Sequence, residues 1–197
     1  MFNKFKKTTI DYCVAGLGNP ESKYNGTRHN IGFDAMDALC KKTDCELSKK
    51  KFNAFYGIAE HNGKRILLIK PMTYMNNSGE AVREFLNFYK IPIESLIVMC
   101  DEISLDPGKL RIRRNGSSGG QNGMNSIIDL CGSNNFPRIK IGVGNKPHPD
   151  YNLADWVLGK FSKDDRVLAD EAANKAAEAV LLICDGRIDR AMNLYNS

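Results

Sequence analysis

The chain has 197 residues, 42% hydrophobic and 26% charged, which is the ordinary globular range and long enough to bury one sizeable core, so a single domain over 1–197 is expected. Lysines and arginines number 28 against 23 aspartates and glutamates, a net charge of +5, which leans toward a nucleotide or a tRNA-sized polyanion and falls short of a histone-like tail. The longest apolar stretch, around residues 179–184, is far below the roughly 18 residues of a membrane span, and the basic residues 1–9 have no apolar segment behind them, so no membrane insertion and no secretion are expected and the chain reads as cytoplasmic.

In chain order, residues 12–17 form a short apolar run that stops at Gly18-Asn19-Pro20, as a buried strand ends in a turn. Residues 30–42 carry Ile31, Phe33, Ala35, Met36 and Leu39 as a helical stripe. Residues 55–60 and 64–69 flank Asn62-Gly63, the two-residue signature of a type I′ hairpin, and are expected to pair antiparallel. Residues 78–89 show a second stripe in Ala81, Val82, Phe85, Leu86 and Tyr89, and the continuous apolar run 96–100 suits a central strand buried on both faces. Two further strands are expected at 109–113 and 140–143, separated by the glycine-rich segment 116–123 and a helix over 124–131. The Pro- and Asn-rich segment 145–152 reads as an exposed loop. Ser162 with Asp165 resembles a capping box that opens a long alanine-rich helix to about Cys184, and Asp185-Gly186 breaks it before a short last helix. The sum is an α/β chain, a single-domain twisted mixed β-sheet flanked by helices on both faces.

Six cysteines are scattered with no Cys-x-x-Cys pair, and the three histidines, His29, His61 and His148, form no His-x-x-x-His or His-Glu pairing. The thiols read as reduced and mostly buried, and no metal site is expected. Asparagine is the compositional oddity, with 19 copies. Most suit turns and caps, because Asn tolerates the left-handed region and bonds its own backbone. Asn19, Asn30, Asn76 and Asn122 fall at strand ends or helix starts, where open α/β folds place their sites.

Three motif readings compete. Gly16-Leu17-Gly18 follows a strand as a dinucleotide fingerprint would, but the third glycine position is Glu21, which would set a negative side chain against a pyrophosphate. Gly116-Ser117-Ser118-Gly119-Gly120 matches Gly-x-Ser-x-Gly with His148 downstream as a base, yet it is fed by Arg113-Arg114-Asn115 and not by an apolar strand, and its composition suits a mobile loop better than a strained elbow. No Gly-Lys-Ser/Thr follows, so a P-loop fails. The third reading pairs His29, at the mouth of the first helix, with Asp101, at the carboxyl end of the buried run 96–100, where a carboxylate must be paired or face a cleft. Asp101 either holds a neutral imidazole in one tautomer for proton transfer from water or caps a nearby turn.

Gly16-Leu17-Gly18-Asn19-Pro20 with Tyr24 and Thr27-Arg28-His29-Asn30, then residues 70–79, Asp101-Glu102, Gly119-Gly120-Gln121-Asn122-Gly123, Asn135-Phe136-Pro137-Arg138 and Ile141-Gly142-Val143-Gly144 span nearly the whole chain in order. Together they resemble the bacterial-type peptidyl-tRNA hydrolase family. The resemblance implies a monomer with no cofactor or metal that hydrolyses the ester between a peptide and the 3′ end of tRNA. Its partner would be peptidyl-tRNA, engaged at the 3′ CCA end, the acceptor stem and the 5′ phosphate.

Carried over by position, His29 would be the base that activates water and Asp101 its stabiliser. Asn19 would distinguish a blocked aminoacyl group from a free amine, its side-chain oxygen accepting the amide N–H. Asn76 and Asn122 would bind the peptide and terminal ribose region, since an amide offers donor and acceptor without charge. Tyr24 and Tyr74 would be further substrate contacts, with core packing as the alternative, and Arg113 and Lys140 would grip the 5′ phosphate. The chain departs from the family pattern at Gln121, where many members have His, at Cys100, where His is frequent, and at Lys140, usually Arg. Lys49-Lys50-Lys51 and Lys41-Lys42 either extend a tRNA footprint or are solvated surface. The resemblance also covers non-catalytic RNA-binding relatives, so enzyme and binding module both stand at this point.

Overall fold

The computed structural model describes residues 9–196; the basic stretch 1–9, apart from Thr9, and residue 197 lie outside them. Seven strands build one mixed sheet: β1 (Tyr12–Gly16), β2 (Lys49–Lys51), β3 (Ala54–His61), β4 (Lys64–Pro71), β5 (Leu96–Glu102), β6 (Leu110–Arg113) and β7 (Arg138–Gly142). Their order across the sheet is β2-β3-β4-β1-β5-β7-β6. The four central strands β4, β1, β5 and β7 run parallel, and antiparallel strands close both edges.

The central strands β1, β4 and β5 carry continuous apolar runs because both sheet faces are covered, while β7 is interrupted by Arg138 and Lys140. Val14, Leu68, Ile97, Met99, Ile139 and Ile141 pack on one face against α1 (Ile31–Thr43), the alanine row of α5 (Lys163–Cys184) and α6 (Ile188–Tyr195). Cys13, Ala15, Leu67, Ile69, Val98 and Cys100 pack on the other against α2 (Ser78–Tyr89) and α3 (Asn122–Cys131). Side chains alternate between faces along each strand, so neighbouring residues feed different cores. The hairpin between β3 and β4 turns on Asn62 (φ 47°) and Gly63 (φ 74°), both left-handed as a type I′ turn requires. Ser162 Oγ accepts the Asp165 N–H at 3.1 Å and caps α5 as its sequence pattern implies.

Two elements are absent from the sequence reading. Lys49–Lys51 is the edge strand β2, whose turn into β3 uses Phe52 (φ 48°) and Asn53 (φ 52°), and Phe is an unusual left-handed residue that advertises no turn. The one-and-a-half-turn helix α4 (Leu153–Leu158) follows the expected loop, with Asn152 Oδ1 accepting the Ala154 and Asp155 N–H groups.

The crossings around β1 make the crevice. From β1 the chain passes through α1 on one face and reaches β4 on one side of β1; from β4 it passes through α2 on the other face and reaches β5 on the opposite side. The two crossings diverge at the carboxyl end of β1, where open α/β sheets open to ligands. α1 can sit this close only because residue 32 is glycine: a Cβ there would stand 2.5 Å from the carbonyl oxygens of both Leu17 and Met99.

Gly32→Ala should therefore destabilise the protein by about 1–3 kcal/mol, the usual cost of overpacking. The check is urea unfolding followed by circular dichroism, where the midpoint should fall with the slope unchanged.

Candidate active site

A cavity of about 480 Å³ opens at the carboxyl ends of β1, β4 and β5. The turn after β1 supplies Asn19 and His29, the segment after β4 supplies Tyr74, Met75 and Asn76, and the end of β5 supplies Asp101 and Glu102. The glycine-rich segment contributes Gly119, Gly120, Gln121 and Asn122, and α4 closes one side with Leu153, Ala154, Val157 and Leu158.

His29 sits in a 3-10 turn, Arg28–Asn30, that runs straight into α1. Its Nδ1 lies 3.0 Å from Asp101 Oδ2, and both side chains are almost fully buried. A carboxylate accepts hydrogen bonds, so the ring nitrogen facing it carries a hydrogen, and in the neutral imidazole Nε2 is then the nitrogen with the lone pair. The other carboxylate oxygen, Asp101 Oδ1, accepts from Gln121 Nε2 at 3.0 Å. Because Gln121 Oε1 accepts the Met124 N–H at 2.6 Å, the orientation of the Gln121 amide is set by a backbone donor.

Asn19 is held on three sides. Its backbone N–H donates to Asn30 Oδ1 (2.8 Å), its backbone oxygen accepts from Asn30 Nδ2 (3.0 Å), and its own Oδ1 accepts the Met75 N–H (2.9 Å). Asn19 Oδ1, expected to accept a substrate N–H, thus already accepts one backbone donor and keeps a second lone pair, and the side-chain NH₂ adds donors beside it. Met75 follows Tyr74, whose φ of 57° with ψ of 159° is a region that non-glycine residues enter at a cost of about 1–3 kcal/mol. The Tyr74 hydroxyl bonds Glu21, which also pairs with Lys23 at 2.8 Å. Asn76 and Asn122 both line the cavity and are exposed.

Tyr24, Arg113 and Lys140 do not line the cavity. Tyr24 is half-buried beneath the Lys23 ammonium, 4.9 Å from its ring centre. Arg113 is exposed and its guanidinium donates to the Ile112 carbonyl. In the ladder it stands opposite Arg138, whereas Lys140 stands opposite Arg111, so Arg111, Arg113 and Lys140 share one sheet face. Lys140 donates to Glu102 Oε2 at 2.6 Å, and its ammonium lies so close to Gly119 that a Cβ there would be 2.9 Å away. The lysines of β2 lie at the opposite edge of the sheet from these cations. Ser118 Oγ accepts the Gly120 N–H at 3.1 Å and His148 packs on Tyr151, so the Gly-x-Ser-x-Gly match builds a loop turn and no Ser-His pair.

Arg28 does not line the cavity but braces its wall, and the sequence marks it only by its place beside His29. Its guanidinium lies 3.5 Å from the Trp156 ring centre and donates to the carbonyls of Lys160 (2.9 Å) and Trp156 (3.4 Å), tying the end of α4 to the turn that carries His29. Arg138, fully buried, donates to the carbonyls of Asn134, Phe136, Gly116 and Ser117 and anchors the base of the glycine-rich segment. Among the described residues no three His, Cys, Asp or Glu side chains gather into a metal-binding group. Burial pushes the Cys100 thiol up, with Asp101 adding to the effect, so this cysteine next to the site is held as an inert thiol.

Residues 13–197 match the sequence pattern of the family described as Peptidyl-tRNA hydrolase. The chain is 52% identical over 186 residues to the peptidyl-tRNA hydrolase of Agathobacter rectalis, covering 94% of this chain and 100% of that one. It is 51% identical over 185 residues to that of Caldanaerobacter subterraneus subsp. tengcongensis, covering 94% and 99%. The crystal structure of peptidyl-tRNA hydrolase from Acinetobacter baumannii superposes with a TM-score of 0.89 at 34% identity, over 97% of this chain and 98% of that one.

Burial raises the Glu102 carboxyl, but the bonds from Lys140 and Ser104 outweigh it and hold the group below the usual carboxylate range. A depressed carboxyl adds stability above its unfolded pKa, and that stability is lost as the pH falls through the folded value. Lys140→Ala should move the Glu102 midpoint upward, because burial then meets only the Ser104 bonds. Carboxyl ¹³C shifts followed through an acid titration read this directly; an unmoved midpoint would mean that the pair does not form in solution.

Proposed function

The chain belongs to the peptidyl-tRNA hydrolase family, and we propose that it cleaves the ester between a peptide and the 3′ end of tRNA with water activated by His29. The observation that carries this mechanism is the 3.0 Å contact of His29 Nδ1 with Asp101 Oδ2 at the cavity, which leaves Nε2 as a base. Water held by Nε2 attacks the ester carbonyl carbon and gives its proton to the ring. The resulting imidazolium is stabilised by the Asp101 carboxylate. As the tetrahedral intermediate collapses, the bond to the ribose 3′ oxygen breaks and the ring returns the proton to that oxygen. The products are the free peptide acid and tRNA with its 3′ hydroxyl.

The amide NH₂ groups of Asn76 and Asn122 are suited to hold the carbonyl oxygen as it gains charge and the terminal ribose, since neutral donors neither repel phosphate nor bring a counter-ion with them. Tyr74, at the rim, offers a ring face for the terminal adenine. Tyr24, Arg113 and Lys140 lie outside the cavity and fit contacts with the acceptor stem. There Arg113, with no ion pair among the described residues, is the stronger candidate for the 5′ phosphate, and Lys140 must share its charge with Glu102. In this reading the protein is a cytoplasmic, single-domain monomer whose reaction draws on no metal or cofactor.

Asn19 suits selection of the substrate through its NH₂. A peptidyl or N-acetylated group has a carbonyl on the α-nitrogen that a free aminoacyl group lacks, and an NH₂ aimed at that carbonyl goes unmatched with the wrong substrate, at about 1–3 kcal/mol.

His29→Ala should lower kcat on N-acetyl-aminoacyl-tRNA by about 10²- to 10⁴-fold with tRNA affinity retained. An active variant would contradict the assignment, and an unmodified protein that binds tRNA without releasing the acyl group would make it a binding module. Asn19→Asp keeps an oxygen for the Met75 N–H but loses the donor. It should bring the kcat/KM values for N-acetylated and free aminoacyl-tRNA closer together by about tenfold or more, the worth of one unmatched hydrogen bond. An unchanged ratio would leave Asn19 as a turn residue only.

A further inference from the structure

Gln121 lies at the junction of the glycine-rich segment and α3, and its side-chain amide makes three contacts. Oε1 accepts the Met124 N–H at 2.6 Å and so caps α3. Nε2 has two hydrogens, and it lies 3.0 Å from both Asp101 Oδ1 and Met75 Sδ. A glutamine is not among the favoured caps, so the helix start alone does not account for its presence here. The cap has a second consequence: with Oε1 turned to a backbone donor, the amide can present only its N–H groups to Asp101.

Asp101 is thereby held from two directions, by His29 on Oδ2 and by Gln121 on Oδ1. A carboxylate with one partner is free to rotate and to exchange its oxygens; one bonded at both is fixed in plane and in charge. We propose that Gln121 is a positioning residue for the hydrolysis, which fixes the Asp101 carboxylate and through it the tautomer and orientation of His29. The start of α3 and the state of the base are then linked through one side chain. What depends on Gln121 is therefore the orientation of the carboxylate and the tautomer of the ring. This rests on the reading of His29 as the base.

The test uses three variants in the full chain at about pH 8, where an ordinary glutamate is ionised. Gln121→Glu keeps the acceptor for the Met124 N–H and replaces the donor by a second carboxylate facing Asp101. Gln121→Met removes the acceptor and the donors together at similar volume. Gln121→His restores one acceptor and one donor. The Glu and Met variants should lose about tenfold to a hundredfold in kcat, a fraction of the roughly 10²- to 10⁴-fold that a positioned base supplies, with KM for the tRNA substrate little changed. The His variant should recover most of that loss.

The deciding readout is the ¹⁵N ring spectrum of His29, resolvable because the chain has three histidines. The unmodified protein should show a protonated Nδ1 and a bare Nε2, and the Glu and Met variants a mixture of tautomers. A His29 signature identical to that of the unmodified protein in both variants would overturn the inference, whatever happens to kcat. An unmodified protein with no hydrolytic activity would instead remove the reading of His29 on which the inference rests.

Discussion

The contact between His29 Nδ1 and Asp101 Oδ2 joins residues 72 positions apart in the chain, and most of the architecture around the cavity is a condition for it. It requires β1 and β5 to be neighbours, so that the turn after one reaches the end of the other. It also requires α1 to start hard against both strands, which glycine at position 32 permits. The contact is then enclosed by a circuit of polar bonds. Asn30, the residue after His29, holds the backbone of Asn19; Asn19 Oδ1 holds the N–H of Met75; the Met75 sulfur meets Gln121; Gln121 holds Asp101; and Asp101 returns to His29. The links come from four segments, those at the ends of β1, β4 and β5 and at the start of α3, which are thereby brought into a single arrangement.

This arrangement follows from the cost of burying polar groups. Asn19, Asn30, His29 and Asp101 are all buried, and an unmatched polar group in such a place costs about 1–3 kcal/mol. Satisfying each from a neighbouring segment removes that cost and fixes orientation at the same time. The strained backbone at Tyr74 is tolerated within the same network, because Asn19 holds the next N–H and Glu21 holds the phenol. Arg28 extends the arrangement outward, stacking on Trp156 so that α4 stands over the cavity as a fixed wall.

Much of this was legible in the sequence, for identifiable reasons. β1 and β5 announce themselves as apolar runs because both faces are covered, and Asn62-Gly63 names its own hairpin because few residue pairs adopt two left-handed positions. His29 and Asp101 were locatable because each closes a strand-and-turn unit at the carboxyl edge. What was not legible depends on partners distant in the chain. Three lysines read as a tRNA footprint or as solvated surface, and they form β2 only because β3 supplies the ladder. α4 is six residues long, too short for a helical period to register. The bond from the Met75 N–H to Asn19 Oδ1 joins residues from two different strand ends, and Gln121 drew notice only as a departure from a family pattern. Its bond to Asp101 depends on the approach of α3 to the end of β5, which no local spacing reports.

The account stands on water, and not a protein side chain, attacking the ester. Its most direct test is a rapid-quench single turnover, with enzyme in excess over tRNA charged with a radiolabelled N-acetylamino acid. Free tRNA and free N-acetylamino acid should appear with one rate constant, and no label should precipitate with the protein at any time. Release of tRNA ahead of the acyl product, with label carried on the chain in the interval, would reveal a covalent intermediate and contradict the role given to His29.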